Sequence, residues 1–247
     1  VRILPRTNDQ INEEWLTDKA RYSFDSVSKN RLDVPLMKKQ NFIEISWEEV
    51  FGALYTNVKN NSGIRFKLGS LVDLETIIAC ENISSSLKQK VIIEGYKKSG
   101  NLNINIDQPL NYRSTNINEK LEEADLILLV NLDLKNEIPL FNVRLANSVK
   151  KSGVPVGLLG SNIDSTFNYE HIGFDLKDFI NLLEGNNKFL NKIINAESPL
   201  ILFGENCFNW NLNSFYPFLK KINKNINFSV LNHNVAASGL GECVYKI

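Results

Sequence analysis

Asp125-Leu126-Ile127-Leu128-Leu129-Val130 places five apolar residues in a row behind one carboxylate. A strand with one wet face alternates apolar and polar residues, and this one does not. It predicts a strand buried on both faces, as inside a parallel sheet covered by helices on each side. Downstream, Leu140 to Lys150 reads as a helix ending before Gly153, and Val154 to Leu159 as the next strand, closed by Gly160. Leu176 to Ile194 reads as one helix or two, broken near Gly185. Pro199 to Phe203 is a strand closed by Gly204, Phe215 to Ile222 a helix, and Phe228 to Leu231 a last strand. Upstream, Ile64 to Leu68 and Val91 to Glu94 read as short strands. Between them Asp73 to Leu87 is helical, with Leu74, Ile77, Ile78 and Ile83 on one side. This alternation predicts an α/β protein with a doubly wound, mostly parallel sheet and right-handed crossovers.

The first forty or so residues are polar and irregular, punctuated by Pro5 and Pro35. Asp9 to Lys19 is expected to hold a short helix with acidic groups near its start, where the helix dipole favours them. The cluster Glu13, Glu14, Asp18, Lys19 and Arg21 then reads as an exposed helix with intrahelical pairs. Ser46-Trp47-Glu48-Glu49 has the signature of a capping box, Ser46 with Glu49 three residues on. Val50, Leu54 and Val58 continue that helix as an apolar stripe.

Of the 247 residues, 43% are hydrophobic and 23% charged, enough for a sizeable core. Basic and acidic residues balance at 28 each, so no excess of positive charge is available for nucleic acid. Cys80, Cys207 and Cys243 lie far apart and read as reduced, half-buried thiols of an intracellular compartment. No apolar run is long enough to cross a bilayer. The start, Val1-Arg2-Ile3-Leu4-Pro5, has no signal-peptide pattern, and is expected to be cut, processed or split from an upstream segment.

In a doubly wound sheet, ligands sit outside the carboxyl ends of the strands. Those ends are Asn131-Leu132-Asp133, Gly160-Ser161-Asn162-Ile163-Asp164 and Gly204-Glu205-Asn206. None is a glycine-rich dinucleotide loop or a P-loop, and Asp133, Asp164 and Glu205 would repel a phosphate. They read as ordinary β-to-α turns. Ser238-Gly239-Leu240-Gly241-Glu242 lacks the third glycine of a cofactor loop. His171 and His233 are isolated, and His171 reads as a surface-loop residue. Glu137 and Arg144 read as an ion pair around a helix start. No catalytic, cofactor-binding or metal-binding residue emerges.

Arg2-Ile3-Leu4-Pro5-Arg6, Asn12-Glu13-Glu14-Trp15, Asp18-Lys19, Arg21-Tyr22 and Asp25 follow one another in a familiar order. They resemble the stretch after the iron–sulfur region in the large iron–sulfur subunit of respiratory complex I. Arg31-Leu32, Pro35-Leu36 and Ser46-Trp47-Glu48-Glu49 are shared more widely with molybdopterin oxidoreductases. Gly69-Ser70-Leu71-Val72-Asp73-Leu74-Glu75, Glu122-Glu123-Ala124-Asp125 and Glu137-Ile138-Pro139-Leu140-Phe141-Asn142-Val143-Arg144 are similar to the complex I version. Val235-Ala236-Ala237 with Leu240-Gly241 fits loosely.

The resemblance implies a molybdopterin-oxidoreductase-like fold that has lost its molybdenum cofactor. It implies a non-catalytic structural part of the NADH-oxidising peripheral arm, on the matrix side of the mitochondrial inner membrane. Electrons in that family run from NADH through FMN and iron–sulfur clusters to ubiquinone. The cluster cysteines lie upstream of the matched region, so no cofactor is assigned to this chain. Residues 1–45 are expected to form an arm packing on the iron–sulfur part, with 46–247 as the degenerate α/β domain. Arg6, Glu13, Glu14, Trp15, Arg21 and Arg31 are the candidate interface residues. Expected partners are the iron–sulfur part, the rest of the C-terminal domain and other peripheral-arm subunits. The family's domain continues beyond the position matched by Ile247, so the sheet is expected to be incomplete without a partner chain on its last strand. The alternative is a fragment that still binds a pterin or a nucleotide; active relatives would carry a metal ligand near residues 100 to 115, where Ser114 is the only candidate by type.

Overall fold

The computed structural model describes residues 2–29, 31–60, 63–68, 71–87, 90–94, 116–204, 207, 210 and 212–231. The readings at Gly69-Ser70, Ser114, Glu205-Asn206, His233, Val235 to Ala237, Ser238 to Glu242 and Cys243 lie outside them.

The centre of the molecule is β5, Leu126–Val130, with all five side chains buried. It pairs in parallel with β6, Val156–Leu159, on one side and β8, Pro199–Phe203, on the other. β7, Glu170–Gly173, lies outside β6, and β9, Asn227–Val230, outside β8. The five-stranded order is β7-β6-β5-β8-β9. The chain thus starts at the centre, winds to one edge, recrosses and winds to the other.

The unbroken apolar run of β5 hides the strand period of two. Leu126, Leu128 and Val130 belong to one core with Phe179, Leu182, Phe189, Ile193 and Leu219. Ile127 and Leu129 belong to the opposite core with Leu121, Phe141 and Leu145. The first core is built by α8 (Leu176–Leu183), α9 (Phe189–Asn195) and α10 (Leu212–Ile222). The second is built by α5 (Ile117–Glu123), the single turn α6 (Leu134–Glu137) and α7 (Pro139–Ser152). Helices on both faces make the sheet doubly wound, as its apolar strands require.

Helix ends follow local chemistry. α7 starts on Pro139, whose missing N–H costs nothing there, and ends on Gly153 in the left-handed conformation, φ 65°. Asp175 caps α8 by accepting from the amides of Lys177 and Asp178. Gly185, φ 92°, separates α8 from α9, which resolves that stretch into two helices.

The N-terminal region departs from the expected helix over Asp9 to Lys19. Residues 8–13 form a turn in which the Asn8 carbonyl accepts from the amides of Ile11, Asn12 and Glu13. Glu13 takes φ 53°, which ends any helical continuation. α1 begins only at Asp18, capped by Thr17, and runs to Tyr22; α2 is Asp25–Ser28. An antiparallel hairpin of β1 (Leu36–Lys38) and β2 (Phe42–Glu44) follows, in a region expected to be irregular. The capping box is present: the Ser46 amide donates to Glu49 Oε2 at 2.8 Å and the Glu49 amide to Ser46 Oγ at 3.2 Å. It opens α3, Trp47–Asn60, whose Leu54 is 52% exposed although Val50 is half-buried.

β3 (Gly63–Lys67), α4 (Leu74–Leu87) and β4 (Lys90–Glu94) form a parallel β-α-β unit, but as a separate two-stranded sheet. The expected single stripe on α4 is split: Ile77 is fully buried, while Ile78 and Ile83 are exposed. Residues 77 and 78 stand about 100° apart on a helix, so they cannot share one narrow face.

Burial separates two otherwise similar leucines. Leu128→Ala is expected to lower unfolding free energy by about 2–5 kcal/mol, and Leu54→Ala by under about 0.5 kcal/mol. Urea unfolding followed by circular dichroism measures both.

Candidate functional site

The sheet order defines a switch point between β5 and β8, whose following connections leave in opposite directions. This is where doubly wound proteins place a ligand. Asn131 stands there with φ 49°, a conformation uncommon outside glycine. It is flanked by Gly160, where a Cβ would come within 2.8 Å of Asn131 Oδ1, and by Gly204, where a Cβ would overlap the Asn131 carbonyl oxygen. The two glycines therefore make room for this chain's own asparagine.

Three amides at the strand ends are spent on neighbouring strands. Asn131 N–H donates to the Leu159 carbonyl at 2.7 Å, Gly160 N–H to Gly173 at 2.8 Å, and Gly204 N–H to Val130 at 2.9 Å. Cys207 closes the floor, fully buried, its thiol donating to the Val130 carbonyl at 3.4 Å. Burial pushes this thiol up to about 12, opposed by hydrogen bonds from Asn131 and the Gly204 backbone and reinforced by Glu137. Cys80 is also buried and free, with its pKa raised by burial and then by Glu81.

Around the rim, Asp133 accepts from Asn136 Nδ2 at 2.6 Å, and Glu137 accepts from the Asp133 amide at 3.0 Å. Lys135 pairs with Asp164 and holds that exposed carboxyl below its usual pKa. His171 is not a surface-loop residue. It lies half-buried on β7, with Nε2 2.9 Å from the Gly160 carbonyl and its ring edge-on to Phe174. Only the edge position of β7, with its mixed burial, concealed that strand from a pattern search. Among the described residues, no three His, Cys, Asp or Glu side chains stand together as a metal-ligand set.

The candidate interface residues divide. Arg6, Glu14 and Arg31 are exposed, and Trp15 is 51% exposed. Arg31 lines a shallow groove with Asp25, Ser26, Lys29 and Leu32. Arg21 is half-buried and donates to the Ile3 carbonyl at 3.0 Å. Glu13 is exposed as well, but its carboxylate stands 3.4 Å from Arg144 Nε, and Glu122 lies 3.7 Å from the same guanidinium. Arg144 thus finds its carboxylates on the arm and on α5, where sequence pointed to Glu137. Asn8 and Asn12, whose side chains bond the local backbone, are the residues that could have signalled a turn in place of a helix.

A parallel sheet with helices on both faces and a reversal of strand order at its centre defines a doubly wound α/β protein. Residues 31–241 match the molybdopterin oxidoreductase family, and the chain belongs to it. Residues 1–25 match the NADH-ubiquinone oxidoreductase NDSU1/NuoG-like 4Fe-4S domain. The chain is 30% identical over 218 residues to the NADH-ubiquinone oxidoreductase 75 kDa subunit of Reclinomonas americana, covering 83% of this chain and 32% of that protein. It is 31% identical over 232 residues to the mitochondrial NADH-ubiquinone oxidoreductase 78 kDa subunit of Neurospora crassa, covering 90% of this chain and 30% of that protein. It is 30% identical over 209 residues to the mitochondrial 78 kDa subunit of Candida albicans, covering 83% of this chain and 29% of that protein. The chain therefore spans about a third of the length of these curated relatives. A chain of the formyltransferase/hydrolase complex of Methylorubrum extorquens, solved with methylofuran, shares the fold with a TM-score of 0.55 at 12% identity, over 76% of this chain and 57% of that one.

The Cys207 thiol gives a pH signature. Its folded pKa of about 12 lies above the ordinary value of 9.0, so the folded state holds the proton where the unfolded state has lost it. That stabilisation is complete below pH 9 and is lost as pH rises towards 12. At neutral pH, alkylation with iodoacetamide followed by peptide mass spectrometry should leave Cys207 unmodified in the folded chain and modify it after denaturation.

Proposed function

We propose that this chain is a non-catalytic structural part of the peripheral, NADH-oxidising arm of respiratory complex I. In this reading it corresponds to the front part of the molybdopterin-oxidoreductase-like region of the large iron–sulfur subunit. It supports electron transfer from NADH to ubiquinone, while FMN and the iron–sulfur clusters are carried elsewhere in the complex. The carrying observation is the succession, in one chain, of a segment matched to the NDSU1/NuoG-like 4Fe-4S domain and a molybdopterin oxidoreductase domain. Relatives named as NADH-ubiquinone oxidoreductase subunits match over most of the chain.

Geometry supports the absence of a resident pterin. At the switch point the glycines accommodate Asn131, the three strand-end amides are satisfied internally, and the rim carries Asp133, Glu137 and Asp164. A phosphate-bearing cofactor would meet the carboxylates of Asp133 and Glu137 there, with Lys135 already paired to Asp164. The residues described do not suit that group, and no reaction step is assigned to it.

In the same reading, residues 1–45 are the arm that meets the iron–sulfur part, and 46–247 form the α/β domain. Arg6, Glu14, Trp15 and Arg31 are available to a neighbour: Trp15 offers an amphipathic ring, and the arginines offer planar forks for carboxylates. β9, an edge among the described residues, is the place for a further chain to add. No described helix is long and apolar enough to cross a membrane. The proposed location is the matrix side of the mitochondrial inner membrane, reached through partner subunits.

Native electrophoresis of solubilised membranes tests this. The chain should migrate with NADH dehydrogenase activity, alongside a polypeptide bearing the cysteine-rich iron–sulfur region. Migration solely as a free monomer would overturn the proposal. Molybdenum or a guanine nucleotide released from the purified chain would instead favour the pterin-binding reading.

A further inference from the structure

We propose that Arg144 and Asn118 form a clasp that fixes the turn at residues 8–13, and with it the 4Fe-4S-matched segment, onto the α/β domain. Asn118 belongs to α5 and Arg144 to α7, which face the same core. Between them they reach three successive backbone carbonyls of the turn. Arg144 Nη2 donates to Asp9, while Asn118 Nδ2 donates to Gln10 at 2.7 Å and lies 3.4 Å from the Ile11 carbonyl. The Glu13 carboxylate closes the contact on Arg144 Nε at 3.4 Å, and Glu122 adds a second carboxylate at 3.7 Å.

The turn is built to present those carbonyls. The Asn8 carbonyl accepts from three amides, and Asn8 Oδ1 accepts from the Gln10 amide at 3.1 Å. Asn12 Nδ2 ties the entering and leaving chain together through the carbonyls of Arg6 and Trp15, at 3.0 and 3.1 Å. With those amides occupied inside the turn, the carbonyls at 9–11 are left to outside donors. The Arg144 side chain is only 13% exposed, so water screens it far less than an open surface pair. Its planar fork spreads donors over Nη2, Nε and Nη1 to reach one carbonyl and two carboxylates, where a lysine would offer donors from a single nitrogen. α1 and α2 contain no buried residue, so apolar burial there does not fix the arm. The clasp is a property of the chain itself; its consequence, a fixed geometry between iron–sulfur part and α/β domain, rests on the function proposed above.

Hydrogen exchange read by mass spectrometry on the full chain tests the clasp independently of complex membership. Arg144→Met should speed exchange across residues 8–15 by about tenfold, with β5, β6 and β8 unchanged. Glu13→Gln should have a smaller effect alone and add nothing on the Arg144→Met background, since both remove one contact. Exchange at 8–15 within about twofold of the unaltered chain would overturn the proposal. If Arg144→Met also loosens the sheet, Asn118→Ala decides: it must speed exchange at 8–13 with the sheet intact, and no acceleration overturns the clasp.

Discussion

Burial of β5 on both faces is the constraint from which the rest of the structure follows. Its five side chains are divided between two cores, and each core must be closed by helices. In the sheet it is flanked by β6 and β8, which satisfy its backbone on both sides. Parallel neighbours need crossovers: α6 and α7 lead to β6, α8 and α9 to β8 and α10 to β9, while the loop 160–169 alone joins β6 to β7. Gly157 shows how tight this becomes: a Cβ there would stand 2.5 Å from the Phe189 ring.

The same winding creates the switch point and then fills it. The strand ends that would open a cleft are brought close by Gly160 and Gly204, and Asn131 occupies the space in a left-handed conformation. The amides of Asn131, Gly160 and Gly204 extend the strand pairing to the rim of the sheet. The thiol of Cys207, desolvated by burial, stays protonated at neutral pH and acts as a small apolar plug.

The arm obeys different physics. Its two short helices bury no residue, and Trp15 beside them is more than half exposed, as are Trp47, Phe51 and Tyr55 on α3. Polar contacts to α5 and α7 place the 8–13 turn. Such contacts are directional and specify orientation, where apolar burial would specify only proximity.

Sequence alone determined the α/β class, the central strand, the break at Gly185 and the Ser46–Glu49 box, because each rests on neighbours in the chain: runs, periods, caps and glycines. It also carried the family resemblance through ordered motifs. It did not reveal β7, whose edge position leaves a mixed burial pattern, nor the 36–44 hairpin, which buries almost nothing. It misread residues 9–19 because side-chain hydrogen bonds from Asn8 and Asn12 outweigh helix propensity there. Only the tertiary structure decided that β3 and β4 stand apart from the main sheet, and that two glycines exist to admit Asn131. It alone decided that Arg144 reaches back to Glu13. That last contact joins residues 131 positions apart, and separation of this kind carries no pattern in the chain. The strand ends were legible as turns from their glycines and asparagines; that the protein's own backbone closes the switch point between them is a matter of packing, which no local run of residues records.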